Sequence, residues 1–536
     1  MPTVRHAALD VMRRHDLTTV FANPGSTEVP FLVGLPDDIR FVLALHEGSV
    51  VGAATGYALA REAPALVLLH TTAGLGNAVG ALATARVNRA PLVVLVGQQD
   101  RRHLVQEPFL AGDLEQLAGD HPVRTETPPR AQDAPGAIAR AAHAARTLRG
   151  PALVVVPMDD WAQPAEEVPL PAPDALRLPG SADPEAVAEI AALLHEASAP
   201  ALVVGAGADD PGTWHALTRL AERFDAPVWQ EPFGARAGFP QDHPLFAGHL
   251  PAGRGRLREA LGAYDVVLSV GAPVFRQYPY EEGPLVRTGT RLALVTDDPD
   301  EAYRAPAGLA VVARLPAFCA ALAEAAGAGE RPSPPARASV ERAVAPPPPA
   351  YGEPLRAAHV LAELARRLPA ETVLVEETPS SRPELHALVP ARRPLGFLSA
   401  AMGGLGFALP AAIGVRMGVP ERPVVAVVGD GSSLYQIQAL WTAVRYRVGV
   451  LFVVLANGRY AIMDRLADAH EKAAPWPGFE EVSVSGMAEA LGCRARRVTE
   501  YAELLGELDA LVPELAESAR PMVLEVAVRA EETFEP

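Results

Sequence analysis

Three doubly wound parallel-sheet domains of the α/β class are what this sequence predicts, on three observations. Short runs of Val, Leu and Ile alternate with Ala-rich helical patterns along nearly the whole chain. Continuous β-branched runs joined by helices mark parallel strands buried on both faces. At 536 residues the chain exceeds what one hydrophobic core organises. Two proline-rich stretches then interrupt the alternation and divide it.

The first seventeen residues, MPTVRHAALDVMRRHDL, read as an amphipathic helix with charges throughout and without the apolar region of a secretory signal. The strand runs Phe41–Leu45, Ala65–Leu69, Pro91–Val96 and Ala152–Val156 place a first domain at residues 1–165. An acidic, proline-rich break from Met158 ends it. Ala201–Val204, Val266–Val270 and Arg291–Val295 belong to a middle domain, 180–330. Residues 331–354 form a linker whose proline run favours an extended chain. Val373–Val375, Val424–Val428 and Val450–Leu455 lie in a third domain, 355–530. TAGLGNAVGALATARVNRAPLVVLVGQ, from Thr72, echoes MGGLGFALPAAIGVRMGVPERPVVAVVGD, from Met402, which suggests that the first and third domains are relatives.

Composition narrows the partners. Lys+Arg of 47 against Asp+Glu of 64 gives a net charge of −17, which argues against a nucleic-acid ligand. Apolar stretches such as Val448–Ala456 are strand-length and too short to span a bilayer, so no membrane partner is expected. Cys319 and Cys493 lie far apart without metal-ligand spacing, as inert core thiols in a reducing, cytoplasmic setting.

In parallel sheets, ligands sit beyond the carboxyl ends of strands. Asp430 and Asn457 occupy two such ends, one βα crossover apart, with Gly429, Gly431 and Gly458 beside them. A carboxylate, an amide oxygen and a backbone carbonyl suit magnesium, which keeps further oxygen ligands from a bound phosphate. Gly431 and Ser432 open the next helix and can offer N–H groups to that phosphate. Each short motif alone reads as a turn; their fixed order favours a metal–diphosphate site. Glu47 and His70 end strands in the first domain, where an isolated acid or histidine is more often structural. VVGAGADD, 203–210, is too incomplete to mark a dinucleotide site.

GDG at 429–431, followed after a βα crossover by Asn457, resembles the diphosphate motif of thiamine diphosphate enzymes. Ala456 stands where that family has a first Asn. FANPGSTEVPF (21–31), ALHEGSVVGAATGYALA (44–60), LLHTTAGLGNAVGAL (68–82), PLVVLVGQQ (91–99), GAPVFR (271–276) and GGLGFALPAAIGV (403–415) extend the resemblance over essentially the whole chain, most closely to the benzoylformate decarboxylase branch.

The resemblance implies thiamine diphosphate with magnesium, or calcium in its place, as cofactors. Asp430, Asn457 and the carbonyl of Arg459 would be the metal ligands. Glu47 would hydrogen-bond a pyrimidine nitrogen, and Leu405 would hold the cofactor bent. Asn23, Pro24, Gly25, Ser380, Gly403, Gly429, Tyr460, Ala461, Ile462 and Met463 would complete the cofactor site. His70 would relay protons and Ser26 contact the substrate carboxylate. Tyr278 falls where the branch has a second His, and a phenol is a much weaker acid than an imidazolium. Ser399 and Leu466 fall where Phe is expected, with Ile462 and Met463 adding aliphatic bulk. Some relatives bind FAD; none is expected here. A site shared between subunits implies at least a homodimer, with a homotetramer favoured. The implied reaction is decarboxylation of a 2-oxo acid, with carboligation to an aldehyde acceptor as the alternative.

Overall fold

The computed structural model describes residues 1–166, 170–178, 180–327, 344–468 and 475–530. Residues 328–343, including most of the expected linker, lie outside them; 344–355 carry no helix or strand. Three six-stranded sheets are built, and every strand pairing within them is parallel.

The first sheet comprises β1 (Thr19–Asn23), β2 (Arg40–Leu43), β3 (Ala65–His70), β4 (Leu92–Gln98), β5 (Arg124–Glu126) and β6 (Pro151–Pro157), in the order β2-β1-β3-β4-β6-β5. The second comprises β7 (Pro200–Val204), β8 (Val228–Gln230), β9 (Phe246–His249), β10 (Val266–Val270), β11 (Arg291–Thr296) and β12 (Leu309–Val312), ordered β9-β8-β7-β10-β11-β12. The third holds β13 (Val373–Glu377), β14 (Phe397–Ser399), β15 (Val424–Gly429), β16 (Leu451–Ala456), β17 (Arg494–Val498) and β18 (Met522–Ala527), ordered β14-β13-β15-β16-β18-β17. The central strands β4, β7 and β10 are buried at every residue, as the unbroken apolar runs require.

The first and third sheets share one strand order, and the middle sheet has another. The sequence echo, however, is one βα unit out of register. It pairs the helix Thr71–Val87 with Ala408–Gly418, whereas the topology pairs Ala408–Gly418, the helix entering the third strand of its sheet, with Glu47–Arg61. These two helices pack directly against each other. A Cβ at Gly414 would overlap the carbonyl of Ala53, and one at Gly56 the carbonyl of Ala411. Small residues let the backbones meet, and one apolar cluster runs through both domains, from Phe21, Val50 and Leu75 to Ile413, Val428 and Phe452.

The middle domain closes its own core around Leu202, Phe224 and Phe318. Its GxG serves loop packing: a Cβ at Gly207 would come within 2.8 Å of the Cα of Gly271, itself at φ +61°. Cys319 and Cys493 are buried free thiols, each pushed up to about 12 by burial, which leaves them inert. Among the described residues, no helix is long and apolar enough to cross a membrane.

Candidate active site

Two groups of polar side chains lie at the carboxyl ends of the first and third sheets. In the first domain, Glu47 opens the helix Glu47–Arg61 and is 7 % exposed. Its Oε1 accepts from Asn23 Nδ2 at 3.0 Å and its Oε2 from Asn77 Nδ2 at 3.1 Å. The helix is capped by His46 Nδ1, which accepts from the Gly48 N–H. Gln436, from the third domain, accepts from Ser49 Oγ and lies 3.3 Å from that imidazole.

His70 ends β3, and its ring covers Gly25, where a Cβ would come within 2.5 Å of it. His70 Nδ1 lies 3.0 Å from Glu28 Oε2, and the Glu28 side chain is fully buried. Glu28 also accepts from Thr27 Oγ1 and from the Gly25 N–H at 2.8 Å. Gly97 makes room for this carboxylate, because any Cβ there would overlap Oε1. Ser26 and Pro24 are exposed at the same rim, and Asn23 is half-buried. Glu28 is a residue that sequence reasoning missed. An acid within FANPGSTEVPF reads as a solvated turn, and its one signal is the glycine placed on a neighbouring strand.

In the third domain, Asp430 begins the short helix Asp430–Leu434 at the end of β15 and is 6 % exposed. Its Oδ1 accepts from the Gly431 N–H at 2.8 Å and Oδ2 from the Gly458 N–H at 2.6 Å. Gly458 reaches it at φ +70°, a conformation suited to glycine. Asn457 Oδ1 accepts from the Arg459 N–H at 3.1 Å. Burial raises the Asp430 carboxyl above the ordinary range, with backbone N–H groups opposing. A buried carboxylate beside an amide oxygen and loop carbonyls is a hard donor set, and a divalent cation would supply its missing countercharge. The residues present therefore fit the metal–diphosphate group. Ser432 is buried, and Tyr460 packs with Phe479 over Gly431. Ser380 Oγ accepts from the Ile462 N–H at 3.1 Å, joining β13's following loop to the helix Ala461–Asp468.

Between the middle and third domains the described residues line a cavity of about 1020 Å³ that opens to solvent. Gly403, Leu405, Ile462, Leu466 and Tyr278 line it. Met463 is 42 % exposed and outside the lining, and Ser399 is buried with its hydroxyl 3.4 Å from the Gly234 carbonyl. Both are turned away by their elements: Met463 lies on the outer face of its helix, and Ser399 ends β14 against the middle domain. Glu377, unmarked in the sequence, fixes the Leu405 loop. Its carboxylate accepts from the N–H groups of Gly406, Phe407 and Ala408, each at 2.7 Å. Burial pushes that carboxyl up to about 7 against these three bonds.

The three doubly wound α/β domains carry acid-bearing strand ends in the first and third, where such folds bind ligands, and comparison with known proteins gives the family. Residues 2–118 match the thiamine pyrophosphate enzyme N-terminal TPP binding domain, 187–322 the central domain, and 380–526 the C-terminal TPP binding domain. The chain is 37% identical over 545 residues to a benzoylformate decarboxylase of Pseudomonas aeruginosa, covering 100% of both. A thiamine diphosphate-dependent 4-hydroxybenzoylformate decarboxylase of Rhodococcus jostii RHA1 superposes with a TM-score of 0.92 at 34% identity, over 99% of this chain and 100% of that one. A benzoylformate decarboxylase of Polynucleobacter necessarius gives 0.92 at 33% identity, over 100% of both. The chain belongs to the thiamine diphosphate-dependent enzymes, in the group that holds these decarboxylases.

Proposed function

We propose that the chain is a magnesium-assisted 2-oxo acid decarboxylase that releases carbon dioxide and an aldehyde. The observation that carries this reading is the fully buried Glu28 on His70 Nδ1. A carboxylate there fixes the ring and its tautomer, leaving Nε2 to exchange protons at the rim that also holds Glu47. Thiamine diphosphate, when bound, supplies the electron sink for cleavage of the bond to the carboxylate. Asp430, Asn457 and the Arg459 carbonyl would hold magnesium against its diphosphate, and Glu47 would bind its pyrimidine nitrogen. Ser26 orients the substrate carboxylate. His70 delivers one proton to the carbon that has lost carbon dioxide, so one proton is taken up for each aldehyde released. As the family resemblance implies, each site is completed by a second copy of the chain, joining the first domain of one subunit to the third domain of another, at least as a homodimer and, with two such pairs, a tetramer.

A panel of aromatic and aliphatic 2-oxo acids, offered to the protein with thiamine diphosphate and magnesium, tests this. Carbon dioxide and aldehyde appear in equal amounts from at least one acid, and His70→Ala lowers that turnover by roughly 10²–10⁴-fold. Carbon dioxide from no acid overturns the reading. Tyr278, 56 % exposed beside the cavity, favours a second reading, carboligation. A 2-hydroxy ketone formed in preference to free aldehyde, once an acceptor aldehyde is added, selects it.

A further inference from the structure

The cavity between the middle and third domains has two ends. Gly403, Leu405 and Ile462 form one, beside the cofactor loop. At the other, His249 from the end of β9 and His386 from the helix Arg382–Leu388 stack face to face, with ring centroids 3.8 Å apart and planes at 8°. Phe246 and Phe397 meet these rings edge-on, at 5.9 and 5.5 Å. Phe233, Leu250, Ala252 and Leu466 give the lining its apolar part, beside Arg256, Arg366 and Tyr278. At about 1020 Å³ the space is on the scale of clefts that enclose drug-sized ligands. A short acid held against Leu405 would leave the imidazole end unfilled.

The two rings are polar without being charged. Burial, then the nearby Arg382 charge, pushes His386 down to about 3; burial holds His249 well below its ordinary value, with His386 and Arg382 adding to it. At neutral pH each ring therefore offers one N–H donor and one acceptor nitrogen. The guanidiniums nearby are matched: Arg382 pairs with Glu376 at 2.8 Å and Arg392 with Asp242 at 3.8 Å. A charged tail would meet no spare countercharge in this pair of rings, whereas a hydroxyl or amide would find both a donor and an acceptor.

We infer that His249 and His386 are specificity-determining residues, and that the preferred 2-oxo acid has an extended apolar side chain ending in an uncharged hydroxyl or amide that hydrogen-bonds the stacked imidazoles. This rests on the decarboxylase reading for the chemistry at the other end. The test compares straight-chain 2-oxo acids of increasing length, with and without a terminal hydroxyl, on the thiamine diphosphate–magnesium holoenzyme. In parallel, calorimetry measures binding of the matching 2-hydroxy acids, which cannot be decarboxylated. At the matching length the terminal hydroxyl raises kcat/KM and tightens binding by about tenfold. His386→Phe and His249→Phe, which keep a stacked ring and remove its nitrogens, abolish that preference in both kcat/KM and calorimetry. Binding that ignores both length and terminal hydroxyl overturns the inference, whatever the enzyme decarboxylates. Carbon dioxide from no acid, with the hydroxyl preference intact in calorimetry, overturns the decarboxylase reading and upholds the cavity assignment.

Discussion

Glu231 carries a carboxyl group 3 % exposed, with Oε2 unpartnered and the Arg276 guanidinium 4.0 Å away. Burial pushes it up to about 7, and Arg276 only partly offsets this. In the unfolded chain the same group ionises in the ordinary glutamate range, near pH 4.3. The folded state therefore holds a proton that the unfolded state has released. Its contribution favours folding below the unfolded value and is lost as pH rises toward 7. Glu231→Gln, an analogue of the protonated form, stabilises the protein by roughly 2 kcal/mol at pH 8 and by almost nothing at pH 4. Urea denaturation at the two pH values checks this, and an equal shift at both would rule it out. At this scale the sequence was partly legible. Glu47 and Asp430 stand at strand ends inside glycine-rich motifs. Glu28, Glu377 and Glu231 do not, because what distinguishes them is burial by residues far away in the chain.

The contact between the helices Glu47–Arg61 and Ala408–Gly418 depends on absent side chains. Gly414→Val would force a branched side chain into the Ala53 carbonyl, and the helices must separate. A loss of about 3 kcal/mol follows, in the range for overpacked cores, measured as a lowered denaturation midpoint. Gly76, in the helix Thr71–Val87, meets nothing within 4 Å, so Gly76→Ala instead gains roughly 0.5–1 kcal/mol. Equal losses from both substitutions would show that helix packing is not what Gly414 serves. Elements buried on both faces announce themselves as apolar runs, as β4 and β10 do. The edge strand β17, Arg-Ala-Arg-Arg-Val, is largely exposed and has no such run, so its strand character comes from pairing with β18.

For the whole molecule, the proposed division of each site between subunits makes two different defects complementary. Glu47→Gln and Asp430→Ala each inactivate every site when alone. Mixed and reassociated in equal amounts, half of the dimers are hybrids, and each hybrid carries one intact site of its two, so activity returns to about a quarter of wild type. No recovery after verified subunit exchange would mean that each chain builds its own site. Three α/β units were legible from their apolar rhythm. Strand order was not, because pairing joins residues distant in sequence; Gly414 against Ala53 is the contact that corrects the register of the internal echo.

The apolar cluster that passes from Phe21 through Ile413 to Phe452 bears on descent as well as on stability. Its two contributing domains are separated in the chain by a third whose core, around Leu202, Phe224 and Phe318, is self-contained. A lineage could remodel that middle core, apart from Trp214 and Ala237, which join the third domain's second cluster, while the outer two, sharing one interior, would have to change together. The middle unit also supplies His249, so new substrate preferences could be acquired there without disturbing the inherited catalytic pair of domains.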